Sequence, residues 1–287
     1  MVNPIPESEL LINADGSIYH LNLKPGQVAD TVIAVGDPDR VEKISRYFDT
    51  VELKVQKREF VTHTGCYRGK RLSVISTGMG TDNVEIFMTE LDALFNVDFE
   101  TRLPKDKHQR LNVIRVGTSG SMQARIPEGS MLVSDYGLGL DSLMAFYNLQ
   151  QTELEHEISS QVKACLNLPF TPYCVKGSAV LQSKFKDLLS GITVTCPGFF
   201  GPQGRKVRLS PAFPDIFNQL SGLNPQGLEL SNFEMETAGY YAMGRLLGHE
   251  TLSLNAIIAN RKTRNFSSSP EKVIENLIAT VLKKYSE

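Results

Sequence analysis

The chain has 287 residues, of which 41% are hydrophobic and 22% charged, and its 30 basic and 32 acidic residues give a net charge of −2. This composition is typical of a folded globular protein without a global positive field, so we expect neither nucleic acid nor a membrane as a partner. The N-terminal residues lack the basic start and apolar run of a secretory signal, and no apolar stretch approaches the ~20 residues that span a bilayer. We therefore expect a cytoplasmic protein.

The four cysteines are widely scattered along the chain. They form no CxxC pair, and no histidine cluster accompanies them at metal-ligand spacing. We predict reduced core thiols and no metal site. The cysteines are Cys66, Cys165, Cys174 and Cys196.

The first part of the chain alternates short apolar runs with helical patterns. The run TVIAV stops at Gly36, and Asp37-Pro38 then opens a helical pattern. Gly69 is typical of a hairpin turn, and Asp82, with Glu85 three residues later, is predicted as the N-cap of a helix. The predicted strands of this part are 31–35, 51–55, 60–67 and 72–75.

The later part continues the same alternation. Residues 96–110 are polar and charged, which predicts a surface excursion, and the letters TSGS after Gly117 predict a turn. No repeat or linker divides the chain, so we expect a single domain over residues 1–287 with an α/β fold around a mixed sheet. Predicted strands are 112–116, 131–133, 173–181 and 251–259, and predicted helices are 153–166, 236–247 and 272–285.

Three predicted strands end in glycine-containing turns, within GDPDR, STGMG and RVGTSG. Such turns let backbone N–H groups approach an anion, and sites in α/β sheets gather at the carboxyl ends of strands. Each turn alone is equally compatible with an ordinary tight turn. Together with Arg40 and Arg115 they indicate one shared anion site.

Familiar catalytic fingerprints are absent from the sequence. Neither GxGxxG nor GxxxxGK[ST] occurs, so dinucleotide and nucleoside triphosphate binding have no motif support. GTSGS lacks the last glycine of a nucleophile elbow, which argues against Ser119 as a hydrolase nucleophile. No HExxH zinc pattern is present.

Six motifs in order, GDPDRV, KREF, STGMG, RVGTSG, NFEMET and IIANR, resemble the uridine phosphorylase branch of the nucleoside phosphorylases. The resemblance runs from about His20 to Arg261. It implies a three-layer α/β/α sandwich with a mixed central sheet and a homo-oligomer whose active sites are shared between subunits. It also implies uridine and inorganic phosphate as substrates, with phosphate as co-substrate and no cofactor.

By this resemblance, a phosphate pocket is implied at the glycine turns. Guanidinium groups and backbone amides orient a phosphate dianion well, which gives the assignment a physical basis. Arg58 is expected to come from the neighbouring subunit. The implied phosphate-binding residues are Gly36, Arg40, Arg58, Arg115 and Thr118.

The segment NFEMET resembles the part of the family that binds ribose. Glu236 is expected to accept hydrogen bonds from the 2′- and 3′-hydroxyls, with Met235 beneath the sugar and Glu234 beside them. A solvated first helical turn would equally favour acidic residues. His20 resembles the family histidine that reaches the 5′-hydroxyl from the adjacent subunit.

CPGFFGPQGR resembles the loop that reads uracil, with Phe199 on the ring, Gln203 at the N3 and O2 edge and Arg205 at O4. An amide matches an imide edge, and arginine stabilises the charge left on departing uracil. The resemblance implies that Gln203, Arg205 and Arg115 are catalytic. Purine-cleaving relatives use an acid after the late buried strand, where this chain has Arg261.

The loops depart from the family at two places. Thr81-Asp82-Asn83 follows GMG where relatives have a small residue or proline and then serine, and Gly201-Pro202 reverses the usual order. The main prediction is uridine phosphorolysis. The alternatives are a purine nucleoside phosphorylase on the same scaffold, a nucleoside hydrolase and a non-catalytic nucleoside-binding protein.

Overall fold

A computed structural model describes residues 3–287, in which the apolar runs form one large mixed sheet with helices on both faces. The strands are β1 (Thr31–Val35), β2 (Thr50–Lys57), β3 (Phe60–Tyr67), β4 (Lys70–Ser76), β5 (Val97–Asp98), β6 (Leu103–Pro104), β7 (Asn112–Ser121), β8 (Met131–Gly139), β9 (Tyr173–Lys176), β10 (Leu189–Thr195), β11 (Leu230–Glu234), β12 (Glu250–Asn260) and β13 (Asn265–Phe266). The α-helices are α1 (Asp39–Ser45), α2 (Thr81–Asn96), α3 (Glu153–Leu166), α4 (Ala179–Gln182), α5 (Ile216–Ser221), α6 (Thr237–Leu247) and α7 (Pro270–Ser286).

The large sheet has the strand order β13-β12-β8-β10-β11-β7-β1-β4-β3-β2, with β9 paired to β8. Since β12 also pairs with β7, the strands β7, β12, β8, β10 and β11 close into a ring. Strand β1 runs parallel to β4 and β7, and β12 runs parallel to β7. The carboxyl ends of these four strands therefore lie along one edge of the sheet.

The side chains of β1 enter apolar cores on both faces of the sheet, because alternate side chains of a strand point to opposite faces. Val32 and Ala34 belong to the apolar core under α2 and α6. Ile33 and Val35 belong to a second core, under α1 and α7. All five residues of β1 are buried, as expected for a strand covered on both faces. The predicted layered α/β architecture with a mixed sheet is confirmed.

Several predicted helices have clear local causes. Helix α3 matches its predicted bounds, and Thr152 and Glu155 form a capping box at its start. Helix α6 begins one residue later than predicted, since Glu236 occupies the N-cap position, and it ends at Gly248 in the left-handed conformation. Helix α7 buries one apolar stripe, as its amphipathic pattern predicts.

Three local predictions are wrong. Asp82 lies inside α2, whose N-cap is Gly80 with φ of 97°, a conformation that favours glycine. Strand β9 ends at Lys176, and the short helix α4 begins at Ala179, within the predicted strand 173–181. The TSGS segment continues β7 to Ser121, because β12 supplies a hydrogen-bonding partner along its length.

The excursion 96–110 forms a small hairpin of β5 and β6 that contacts the N-terminal segment. Arg102 donates to the backbone oxygens of Ile5 at 2.6 Å, Pro6 at 3.1 Å and Leu10. Asn96 fastens the other end of the excursion, since it exchanges hydrogen bonds with the backbone of Gln109. The excursion thus ties the first residues of the fold to the end of α2.

All four cysteines are free thiols. Cys174 and Cys196 are buried as predicted, but Cys66 and Cys165 are partly exposed, so the prediction of core thiols is wrong for these two. Cys66 lies near the end of β3, and Cys165 lies in the last turn of α3. Within residues 3–287, no helix combines the length and the apolar character required to cross a membrane.

Candidate active site

A cavity of about 800 Å³ opens where β1, β4, β10, β11 and β12 end and along the second half of β7. It collects the predicted site residues from segments that are far apart in the chain. All of them line it except His20 and Arg58. Those that line it are Gly36, Arg40, Arg115, Thr118, Phe199, Gln203, Arg205, Glu234, Met235, Glu236 and Arg261.

One end of the cavity contains a buried guanidinium without a carboxylate partner. Arg40 is 8% exposed and donates to the backbone oxygen of Val116 at 3.2 Å, but it forms no ion pair within residues 3–287. Burial lowers the pKa of Arg40, and Arg115 adds to this effect while Asp37 opposes it. An uncompensated buried charge is unfavourable, so this end of the cavity is suited to an anion.

Arg115 has the opposite environment, with its charge balanced by two carboxylates. Its guanidinium lies 3.0 Å from Glu234 and forms a second, short ion pair with Glu236. Although burial opposes the charge, Glu234 and Glu236 raise the pKa of Arg115. Gly117 makes room for this side chain, because a Cβ there would lie 2.0 Å from Arg115 Nη1.

Glu234 and Glu236 differ in how many hydrogen bonds their carboxylate oxygens already accept from the protein. Glu234 accepts from Thr195 Oγ1 at 2.6 Å and from the backbone N–H groups of Glu236 and Thr237 at 2.9 and 2.8 Å. Glu236 accepts from the N–H of Gly80 at 2.9 Å and pairs with Arg115. Burial raises the pKa of Glu236, although Arg115 opposes the shift. Glu234 is thus committed to internal bonds, whereas Glu236 retains acceptor capacity towards the cavity.

The opposite end of the cavity is formed by an aromatic ring, a buried amide and two more arginines. The guanidinium carbon of Arg205 lies 3.8 Å from the centroid of the Phe199 ring, and Arg205 donates to Gln203 Oε1. Because arginine only donates, the Gln203 amide turns its oxygen towards Arg205 and keeps its N–H groups available. Arg261 donates to the backbone oxygen of Gln203 and lies over the ring of Phe217.

Burial lowers the pKa values of Arg205 and Arg261, and the proximity of Arg261 adds to the shift of Arg205. Neither arginine forms an ion pair with a carboxylate in the described part of the chain, although both are partly buried. Guanidinium groups held close together favour a ligand that carries or develops negative charge. The second end of the cavity is therefore also electropositive.

His20 and Arg58 lie together outside the cavity of their own chain. The rings of Tyr19 and His20 are 4.8 Å apart, and the Arg58 guanidinium carbon is 5.9 Å from the Tyr19 centroid. Arg58 occupies the tip of the β2–β3 hairpin with φ of 54°. The structure thus places both residues beside Tyr19 and away from the other predicted residues.

The sequence prediction missed the far rim of the cavity. Arg264, Asn265 and Phe266, from the hairpin between β12 and β13, line it, as does Phe233 of β11. The recognised motif ends at Arg261, and the short hairpin leaves no apolar run that could have pointed to it. The side chain of Phe266 is largely exposed, and Arg264 has φ of 64°.

A second group of potential metal ligands lies outside the cavity. Asp92, His108 and His249 have ligand atoms within 4.8 Å of one another. The N–H of Leu111 donates to His249 Nδ1 at 3.3 Å, which places the ring proton on Nε2, the nitrogen 3.1 Å from Asp92. The two imidazoles are stacked, with ring planes inclined by 21°. His108 Nε2 also lies 2.9 Å from the backbone oxygen of Leu247, so this group of side chains contacts the end of α6.

A family model for the phosphorylase superfamily matches residues 30–283, so the chain belongs to this superfamily. It is similar to the uridine phosphorylase of Thermococcus kodakarensis, with 29% identity over 100% of this chain and 93% of that protein. It is also similar to the uridine phosphorylase of Haemophilus influenzae, with 26% identity over 85% and 86% of the two chains. The family prediction is confirmed.

Structural and purine-directed relatives extend this picture. A Trypanosoma brucei nucleoside phosphorylase, whose crystal structure is described as showing uridine phosphorylase activity, superimposes with a TM-score of 0.89 at 27% identity, covering 96% of this chain and 98% of that one. The DeoD-type purine nucleoside phosphorylase of Clostridium perfringens is 27% identical over 88% of this chain and 91% of that protein. Both uridine-directed and purine-directed enzymes are therefore among the relatives.

Proposed function

We propose that this protein is a pentosyltransferase that cleaves uridine with inorganic phosphate, giving uracil and ribose 1-phosphate. The observation that carries the proposal is the buried, unpaired guanidinium of Arg40 in the same cavity as the Gln203–Arg205 pair. A phosphate would supply the missing negative charge at one end. A uracil ring would meet amide and guanidinium donors at the other.

The phosphate is bound by Arg40, Thr118 and the backbone of Gly36, with Arg115 at its side and Arg58 supplied by a neighbouring subunit. The Arg58–Tyr19–His20 group supports this assignment, because its side chains lie outside their own cavity. Arg115, held by Glu234 and Glu236, has little freedom to reorient. A fixed cation of this kind stabilises developing charge without rearranging during the reaction.

Ribose lies between the two ends of the cavity. Glu236 accepts hydrogen bonds from the 2′- and 3′-hydroxyls, and Met235 packs beneath the sugar. His20 of the neighbouring subunit reaches the 5′-hydroxyl. Glu234 acts by holding Arg115 and the start of α6, since its oxygens already accept three hydrogen bonds. Glu234 also lines the cavity, so its predicted place beside the ribose stays part of the proposal.

In the reaction a phosphate oxygen forms a bond to the anomeric carbon as the bond from that carbon to uracil N1 breaks. The electron pair of the broken bond remains on uracil, where Arg205 and Gln203 stabilise the charge and Phe199 packs on the ring. Arg261 supports Gln203 through its backbone oxygen. Positioning and electrostatics provide the catalysis, and no covalent enzyme intermediate or cofactor is needed.

The second candidate is purine nucleoside phosphorolysis, which the DeoD-type relatives favour. Purine cleavage benefits from an acid that protonates the leaving base. Among the described residues that line the cavity, the carboxylates are Asp37, Glu234 and Glu236, and the latter two pair with Arg115 at the other end. This arrangement supports the pyrimidine assignment.

The test is release of free base from uridine and from inosine, each with phosphate, followed by absorbance. We expect kcat/KM for uridine to exceed that for inosine by at least ~10²-fold, the scale of a lost polar contact at the base. Faster cleavage of inosine would replace the proposal with purine phosphorolysis. Uridine binding without release of uracil would instead indicate a non-catalytic binding protein.

A further inference from the structure

The carboxylate of Glu90, in α2, is buried beneath the segment that carries His20. Its oxygens accept the backbone N–H of His20 at 3.0 Å and that of Leu21 at 2.8 Å. Nδ1 of the His20 ring lies 2.6 Å from the same carboxylate. One acid thus binds both the main chain and the side chain of His20, across 70 residues of sequence.

This arrangement fixes the proton on the His20 ring. A carboxylate that accepts two amide protons offers only lone pairs, so Nδ1 of His20 must carry the hydrogen that it shares with Glu90. In a neutral imidazole the other nitrogen, Nε2, is then an acceptor. The His20 side chain remains 24% exposed, so this acceptor is available to a group from outside its own chain.

We propose that Glu90 is a positioning residue that holds His20 as a hydrogen-bond acceptor for the 5′-hydroxyl of a nucleoside bound in the neighbouring subunit. The inference rests on the proposed function. Glu90 does not touch the nucleoside. It binds the backbone N–H groups of residues 20–21 and so fixes the orientation of the imidazole ring. It also sets the tautomer in which Nε2 accepts a hydrogen bond from the hydroxyl.

The test compares uridine with 5′-deoxyuridine, which lacks the hydroxyl, in wild type and Glu90→Gln. The glutamine keeps the size of the side chain and one oxygen for the backbone amides, but its N–H₂ group faces Nδ1 and favours a proton on Nε2. We expect wild type to prefer uridine by about tenfold in kcat/KM, the scale of one hydrogen bond. The variant should lose most of this preference while its activity on 5′-deoxyuridine is kept.

Two controls separate positioning from general damage. Glu85→Gln changes another acid of α2, which bonds to Tyr147, and should leave the substrate ratio unchanged. In a His20→Ala background, Glu90→Gln should have no further effect on the ratio, because the two residues act as one unit. Nitrogen NMR of His20 should find the proton on Nδ1 in wild type and on Nε2 in the Glu90→Gln variant.

An equal loss on both nucleosides, or a wild-type ring protonated on Nε2 at neutral pH, would overturn the role of Glu90. A wild-type enzyme that releases uracil from both nucleosides equally well would overturn it too. Failure of the wild type to release uracil from either nucleoside would instead reject the proposed function, and the NMR measurement would still report on the Glu90–His20 pair.

Discussion

Arg40 and Arg115 are buried arginines of the same cavity, but only Arg115 has carboxylate partners. Removing one member of a buried ion pair leaves the other charge uncompensated and destabilises a protein by about 3–5 kcal/mol. We therefore expect Arg115→Met to lower the free energy of unfolding by that amount. Arg40→Met, which removes an unpaired charge, should change it by less than about 1 kcal/mol.

The measurement is denaturant unfolding of both variants in phosphate-free buffer, with kinetics on the Arg40 variant alongside. Arg40→Met should raise the KM for phosphate by roughly tenfold or more, since a hydrogen bond to a charged group contributes about 1.5–3 kcal/mol. A strongly destabilised Arg40→Met protein would show that Arg40 has a structural partner. An unaltered KM for phosphate would remove Arg40 from the anion site.

Glu236 gives the site a predicted pH dependence on the acidic side. Because burial raises the pKa of Glu236, the residue takes up a proton at a higher pH than an ordinary glutamate as the solution is acidified. Its protonated form accepts ribose hydroxyls poorly and weakens the pair with Arg115. We expect kcat/KM for uridine to fall on the acidic side of neutrality.

The check is a pH profile of kcat/KM for wild type and Glu236→Gln. The variant should have low activity and should lack the acidic limb of the wild-type profile. A limb of unchanged position in Glu236→Gln would assign that titration to another group, such as the phosphate itself.

At the residue scale, the sequence identified those site residues whose role follows from their residue type within a recognised motif. Arg40, Gln203 and Arg205 were found in this way, and all three line one cavity. The bonding of Glu234 to Thr195 was not predictable, since it joins residues 39 positions apart across two strands. The role proposed for Glu90 was not predictable from the sequence either, because it depends on the backbone of residues 20–21 folding over this carboxylate.

At the element scale, the excursion 96–110 is predicted to hold the N-terminal segment in place. The side chain of Arg102 donates to three carbonyl groups of residues 5–10, which the several N–H donors of one guanidinium make possible. We expect Arg102→Ala to speed amide hydrogen exchange in residues 5–20 and to leave exchange in α3 unchanged. Arginine and alanine both have a Cβ, so the positive φ of residue 102 affects wild type and variant alike and does not account for a difference in exchange between them.

The control for this experiment is Lys107→Ala, a change of an exposed residue in the same excursion, which should leave exchange as in wild type. Faster exchange throughout the protein in Arg102→Ala would indicate global destabilisation. Unchanged exchange in residues 5–20 would show that the segment is held by its own contacts.

Elements with strong local patterns were predictable, and those that depend on distant partners were not. The predicted bounds of α3 and α7 agree with the structure to within a few residues, and a capping box in α3 and an apolar stripe in α7 are the local causes. Strand β7 continues through a segment that looks like a turn, because β12 pairs with it. Strands β10 and β11 escaped prediction, and the closed ring that they complete depends on pairings between remote segments.

At the scale of the whole molecule, the proposed reaction requires active sites that are shared between subunits. Arg205 lines the cavity of its own chain, whereas Arg58 lies outside that cavity and is proposed to serve a neighbour. Arg58→Ala and Arg205→Ala should each lose at least ~10²-fold in kcat/KM for uridine. In a mixed oligomer, a site that combines an intact Arg205 with the neighbour's intact Arg58 is complete.

Co-expression of the two inactive variants should therefore restore activity. With random pairing and two reciprocal sites per pair, recovery should reach about a quarter of the wild-type activity per protein. Mixing the separately purified variants without subunit exchange serves as the control and should restore none. No recovery on co-expression would indicate that each subunit builds its site from its own residues.

The proposed cavity brings an inorganic oxyanion and uridine together, and the stoichiometry of the reaction shows whether both react there. Phosphorus NMR of a reaction with uridine and phosphate should record one ribose 1-phosphate formed for each uracil released, and omission of phosphate should stop uracil release. Uracil release at the same rate in phosphate-free buffer, with free ribose as the product, would rule out phosphorolysis and indicate a hydrolase.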